Sequence, residues 1–148
     1  MGRIAYLLDT NILSEPAKKN PDGNVMQRFE EHDGQFATSA IVWHELNYGC
    51  AALPDSKRKA ALQSYLSTLA NNGLLILPYD QSAAEWFAQQ RAALKNCGKT
   101  AAYVDGEIAA VAAANNLTLV TRNTDDFQFF DGLIIENWFK PSYPSYPS

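Results

Sequence analysis

The stretch Ile4-Ala5-Tyr6-Leu7-Leu8-Asp9-Thr10-Asn11-Ile12-Leu13 decides the fold. Ile4 to Leu8 is a short, nearly unbroken apolar run, the pattern of a strand buried on both faces of a parallel sheet. The run stops at Asp9. Asp9, Thr10 and Asn11 are residue types whose side chains bond nearby backbone N–H groups in turns and helix N-caps. The pattern therefore predicts a carboxylate at the carboxyl end of a first, central strand, the edge of an open α/β sheet where ligands bind. A single acid there is equally well a helix cap, so the rest of the chain must decide.

Outward from this stretch, apolar runs alternate with amphipathic segments. A short helix is expected over Asn11–Glu15, ended by Pro16, then a loop over Lys18–Gly23 and a helix over Asn24–Glu31 closed by Gly34. Phe36–Ser39 reads as a brief strand. From Ile41 to Leu53 the period is helical, with Val42, Leu46, Gly49 and Leu53 on one face and Glu45 embedded among them. A helix over Ser56–Ala70 turns Leu62, Leu66 and Leu69 inward and Lys57-Arg58-Lys59 outward. Leu74–Leu77 is a strand, and Ser82–Leu94 a helix with Ala83, Trp86, Phe87 and Leu94 as core contacts. The alanine-rich Tyr103–Asn115 is strongly helical in propensity. Strands are expected at Leu117–Val120 and Leu133–Ile135. Strand–helix alternation predicts an α/β fold with a mainly parallel central sheet flanked by helices on both faces.

The chain has 148 residues, 47% hydrophobic and 19% charged, which fits one domain over residues 1–140 with a real core and argues against disorder. The tail Pro141–Ser148 repeats Tyr-Pro-Ser, too proline-dense for a helix or central strand, and reads as a flexible appendage of the kind cloning leaves behind. Cys50 and Cys97 form no metal or disulfide pattern, no apolar run approaches the roughly 20 residues of a membrane span, and no signal peptide is evident. A cytoplasmic location is expected. The net charge of -4 counts against a simple electrostatic nucleic-acid binder. If this protein handles nucleic acid, metal ions or a local basic patch must offset its acids.

Several acids stand where acids are costly. Asp105 opens the buried stripe that continues through Ile108, Ala109 and Ala112. Its first-turn position favours negative charge through the helix dipole, which is the plain alternative to a functional role. Glu45 repeats the anomaly on its own helix. Asp126, or Asp125 beside it, follows a buried strand as Asp9 does, and Asn123 stands at the same edge. Two acids at strand ends and two on inward helix faces form the oxygen-rich donor set that Mg²⁺ or Mn²⁺ needs. The chemistry suited to it is phosphodiester hydrolysis, in which a metal acidifies water and shields developing charge.

Leu-Leu-Asp-Thr-Asn-Ile-Leu-Ser-Glu-Pro (7–16), His-Glu-Leu-x-x-Gly (44–49), Asp-Gly-x-Ile-Ala-Ala-x-Ala (105–112) and Val-Thr-Arg-Asn-Thr-x-Asp-Phe (120–127) together resemble the PIN-domain family. Within it, the likeness is to ribonuclease toxins of the VapC and FitB-like type and extends over Ile4–Trp138. The resemblance implies Asp9 and Asp105 as principal Mg²⁺ ligands (Mn²⁺ being an alternative) and Glu45 as a third acid that binds metal or orients water. Relatives place the fourth acid at either of two positions, here Asn123 and Asp126; Asp126 is favoured, with Asn123 as a neutral hydrogen-bonding contributor. Thr10 and Asn11 would position Asp9, and Thr121 would line the pocket. The implied activity is endonucleolytic cleavage of single-stranded RNA by the toxin of a toxin–antitoxin pair. The implied assembly is a homodimer held inactive by a small antitoxin whose other end binds DNA. Arg122, Lys99 and Lys95 are candidate RNA contacts, against their reading as ordinary solvated charges.

Three other readings compete. Aspartyl-phosphate chemistry of the haloacid-dehalogenase type wants an acid where Asn11 stands, and a receiver domain wants adjacent acids after its first strand. A catalytically silent PIN-like scaffold remains the non-enzymatic alternative. His32 and His44 come with no nucleophile motif; His32 reads as a helix-end residue and His44 as a neighbour of the pocket or a packing-surface residue. Trp43, Trp86 and Trp138 read as core or interface residues.

Overall fold

A computed structural model describes residues 3–141. Its centre is β1 (Tyr6–Leu8), where the apolar run predicts it. Side chains alternate between the faces of a strand. Leu7 and Leu8 are both wholly buried, so both faces of β1 are covered. β1 pairs in parallel with β2 (Phe36–Ser39) on one side and β4 (Thr118–Val120) on the other; β3 (Leu75–Leu77) and β5 (Ile135–Glu136) complete the sheet in the order β3-β2-β1-β4-β5. All four pairings are parallel. The order reverses direction at β1, so the crevice beside its carboxyl end is the topological switch point of the sheet.

The helices are α1 (Thr10–Leu13), α2 (Gly23–Glu31), α3 (Ala40–Ala51), α4 (Lys57–Asn71), α5 (Gln81–Asn96) and α6 (Tyr103–Ala114). Most begin on the residue type that caps them: Asp22 for α2, Ser39 for α3, Ser56 for α4 and Asp80 for α5 each accept a first-turn backbone N–H. Gly34 has φ +78, the left-handed conformation that suits glycine after α2. His32 closes α2 as its C-cap and stacks at 23° on Trp138, which is wholly buried among Tyr6, Phe29 and Phe36. Trp43 and Trp86 are half-buried against the core.

Four local expectations need correction. Helix α1 ends at Leu13, before Pro16, which sits inside a separate 3-10 turn over Glu15–Ala17. Proline's fixed φ and missing N–H suit the first turn of such an element, so it starts this one and does not stop the previous one. On α3 the buried stripe is Val42, Leu46 and Cys50, while Gly49 is exposed; glycine has no side chain to bury, and the drift of a four-residue step brings Cys50 to the core in its place. Lys59 turns back, donating Nζ to the carbonyls of Ala51 (3.2 Å), the last residue of α3, and Leu53 (3.0 Å), just past it. The last strand is two residues long and begins at Ile135. The tail from Ser142 onward lies outside the described residues. Among the described residues no helix is long and apolar enough to cross a membrane.

α6 and α5 pack unusually closely. A Cβ on Gly106 would run into the ring of Phe87, which is buried on α5. Gly106 adjoins Asp105, so this contact sets where the acid sits. Gly106→Ala is expected to lose about 1–3 kcal/mol of stability, the usual cost of overpacking, in urea denaturation followed by circular dichroism. An alanine variant as stable as its parent would show that Phe87 moves aside freely.

Candidate active site

The register of the sheet builds the site. Leu8 pairs with Val120, so the residues that follow them, Asp9 and Thr121, stand side by side at the sheet edge. Asp9 is only 7% exposed and Thr121 is wholly buried. Thr121 Oγ1 donates to Asp9 Oδ2 at 2.7 Å, and the backbone N–H of Thr10 donates to Oδ1 at 2.8 Å. Asp9 is thus the N-cap of α1 and the buried acid of the site at once. Thr121 Oγ1 also accepts the backbone N–H of Asn123 at 3.1 Å, which fixes the hydroxyl proton toward the carboxylate.

Glu45 arrives from α3, half-buried, with Oε1 accepting a hydrogen bond from Thr10 Oγ1 at 3.2 Å. α3 is aimed by β2: Ser39 Oγ caps it through Val42 N–H, and Thr38 Oγ1, one residue earlier, donates to Leu8 O at 2.8 Å, tying β2 to the end of β1. Asp105 lies half-buried in the first turn of α6, and Asp126 is exposed in a 3-10 turn over Thr124–Asp126.

Electrostatics shows that these acids share one region. Burial pushes the Asp9 carboxyl above its ordinary pKa, the Thr121 and Thr10 hydrogen bonds pull it back, and the charges of Glu45 and Asp126 push it up again. Asp105 is likewise raised, chiefly by burial and then by Asp9, Asp126 and Glu45. Among the described residues the ion pairs lie elsewhere, at Lys18–Glu15, Arg28–Glu136 and Lys59–Asp55. The donor set is therefore acidic, mutually repelling and without a cation of its own, which is the chemistry a hard divalent ion answers. No three acids, histidines or cysteines among the described residues are gathered tightly enough to grip an ion together. A Mg²⁺ site does not require that, because this ion keeps several waters and takes one or two carboxylates.

Some expected roles shift. Thr10 does position Asp9, but with its backbone N–H; its hydroxyl serves Glu45. Asn11 does not touch Asp9 through its side chain: its Oδ1 accepts the backbone N–H of Arg122 at 3.2 Å, pinning the loop after β4. Thr121 holds Asp9 directly, a stronger part than lining a pocket. Asn123 engages through its backbone, while the Asp126 charge is felt at both Asp9 and Asp105. Arg122 lies over the Phe139 ring at 4.2 Å. Beside Glu45 an open cleft of about 580 Å³ is lined by Ala40, Ile41, His44, Tyr48, Tyr79, Val104 and Glu107 as well. His44 stacks there on Tyr48, ring planes 8° apart. Of the two places the sequence allows His44, the structure shows the one beside the cleft, while Tyr79 and Val104 reach it only through the fold.

The PIN-domain family model matches residues 6–132. Toxin FitB of Neisseria gonorrhoeae is 37% identical over 138 residues, 89% of this chain and 97% of that protein. The tRNA(fMet)-specific endonuclease VapC of Shigella flexneri is 31% identical, covering 91% and 98%. Among solved structures, VapBC2 from Rickettsia felis bound to a DNA fragment from its promoter superposes with a TM-score of 0.77 at 33% identity, covering 91% of this chain and 99% of that one.

The raised carboxyls give a stability signature. The folded metal-free protein binds protons at Asp9 and Asp105 more tightly than the unfolded chain does. Stability therefore falls as pH rises from the ordinary carboxyl range, about 4, through the raised folded values. Metal-free Asp105→Asn should accordingly melt above the parent at neutral pH, with the gap closing as the solution is acidified. Mg²⁺ should raise the midpoint of the parent more than that of the variant. Calorimetry across pH checks both; a variant that melts lower than the parent at neutral pH would contradict the charge-repulsion account.

Proposed function

Because the chain belongs to the PIN-domain family, we propose that it is a metal-dependent endoribonuclease cleaving single-stranded RNA, the toxin of a toxin–antitoxin pair. The observation that supports this reading is that the buried Asp9 and half-buried Asp105 both feel the charges of Glu45 and Asp126, with none of the four in an ion pair among the described residues. The ribonuclease and toxin names of relatives over about nine-tenths of the chain support it.

In this proposal Asp9 and Asp105 hold Mg²⁺, or Mn²⁺ in its place, and Glu45 and Asp126 complete the acid set. A bound divalent ion would supply an acidified water and offset the charge that gathers on the phosphate. The protein's own part is orientation. Thr121 and Thr10 fix both oxygens of Asp9, so its carboxylate needs no rearrangement when substrate arrives. Thr10 holds one oxygen of Glu45 and leaves Oε2 for the attacking water. Asn123 contributes a neutral hydrogen-bonding group at the edge. The protein acts as a single domain over residues 1–140 in the cytoplasm, as a homodimer. Its small antitoxin carries a DNA-binding domain, a reading supported by the promoter DNA bound to VapBC2. The exposed Tyr48, Tyr79 and Val104 around the cleft provide apolar surface for such protein partners.

Purified protein given a mixed-sequence single-stranded RNA should cut it with Mg²⁺ or Mn²⁺ and not with EDTA. Asp9→Asn and Asp105→Asn should each lower the rate by at least about a hundredfold, the scale of losing a positioned acid–base or charge-stabilising group. Cutting that survives EDTA or both substitutions would overturn the proposal. Loss of nothing but cleavage, with antitoxin binding intact, would separate it from the silent scaffold.

A further inference from the structure

The acid cluster leaves unanswered how a chain of net charge -4 holds a polyanion. The end of α5 carries charge of the needed sign. Arg91 and Lys95 are four residues apart on α5, about 6 Å along the helix axis, and Lys99 follows just past its end. All three are exposed and line one open groove of about 470 Å³ with Ala88 and Ala92. Among the described residues none of the three is in an ion pair. Arg91 is also not a freely waving charge. Its guanidinium lies 4.5 Å from the ring centroid of Tyr103, the first residue of α6, and 5.8 Å from that of Phe87. A planar fork already placed over an aromatic ring gives up less entropy when it takes a phosphate. The groove continues through Lys99 into the loop that opens α6, six residues before Asp105.

We propose that this groove is the track that holds the phosphate backbone of single-stranded RNA, with Arg91, Lys95 and Lys99 as the contacts and Tyr103 as the residue that positions Arg91. The inference rests on the ribonuclease reading and adds to it the surface that brings substrate to the acids. Ordinary solvated lysines would leave RNA affinity unchanged when neutralised; a track would not.

The test uses the full chain in EDTA, so that binding is read without cleavage, with fluorescence anisotropy of a labelled mixed-sequence single-stranded RNA at several salt concentrations. Each phosphate contact on a single strand contributes about 0.7 to the slope of log affinity against log salt. Lys95→Gln with Lys99→Gln should flatten that slope by about 1.4 and weaken binding about tenfold at low salt. Lys57→Gln with Arg58→Gln, an equal charge change on exposed α4 residues, should alter affinity less than about twofold. Unchanged affinity and slope in the α5 variant, or an equal loss in the α4 control, overturns the track. If the parent cleaves RNA with Mg²⁺ while the α5 variant keeps parental affinity and KM, the track alone fails. If the parent neither binds nor cleaves any RNA offered, the ribonuclease reading fails with it.

Discussion

A hydroxyl proton shared between two strand ends holds the site together. Thr121 donates to Asp9 at 2.7 Å only because β4 lies beside β1 with Val120 opposite Leu8. A slip of one residue in that pairing would send the side chains of β4 to the opposite faces and leave Asp9 buried without its strongest neutral partner. The same edge receives Thr38, which ties β2 to Leu8 and so aims α3 and Glu45. On the other side the close seat of Gly106 on Phe87 fixes α6 and Asp105. Three elements remote in sequence are thus registered against one buried carboxylate, and a parallel sheet with short strands is sufficient to do it.

That arrangement works against stability in the metal-free state. Two carboxyls have raised pKa values because burial and like charge both disfavour ionisation. Sites that perform chemistry commonly concentrate such shifts. Elsewhere a buried acid is given a partner of opposite charge: Glu15 faces Lys18 at 2.9 Å and accepts the backbone N–H of Asp22. The contrast between a buried acid given a lysine and a buried acid surrounded by acids is the physical distinction between a fold residue and a site residue in this molecule.

Much of this was legible in the sequence because it depends on local chemistry. The apolar run ending at Asp9, the acid in the first turn of an alanine-rich helix, and Glu45 in an apolar stripe each violate the expectation for their surroundings, and Asp105 feels the charge of the other two. The strand at Phe36–Ser39 was placed to the residue. What was not legible depends on pairing. That Asn11 reaches the loop after β4 and not its neighbour Asp9, and that Thr10 divides its backbone and hydroxyl between two acids, follows from register and helix direction, which a linear reading lacks. The exchange of Gly49 for Cys50 in the buried stripe of α3 is a smaller error of the same kind: glycine has no side chain to bury, so its apolar label carried no packing information.

The overall charge misleads for a related reason. Net charge sums over the surface, whereas recognition depends on where charge is left uncompensated. Four of the acids, Asp9, Glu45, Asp105 and Asp126, lie close enough for their charges to act on one another, and an ion bound among them would offset part of that charge without altering the composition. The cations at the end of α5 have no acidic partner among the described residues, and one of them is already seated on an aromatic ring. A negative total is thus compatible with a local basic surface that meets a polyanion and with acids whose repulsion a bound divalent ion would offset.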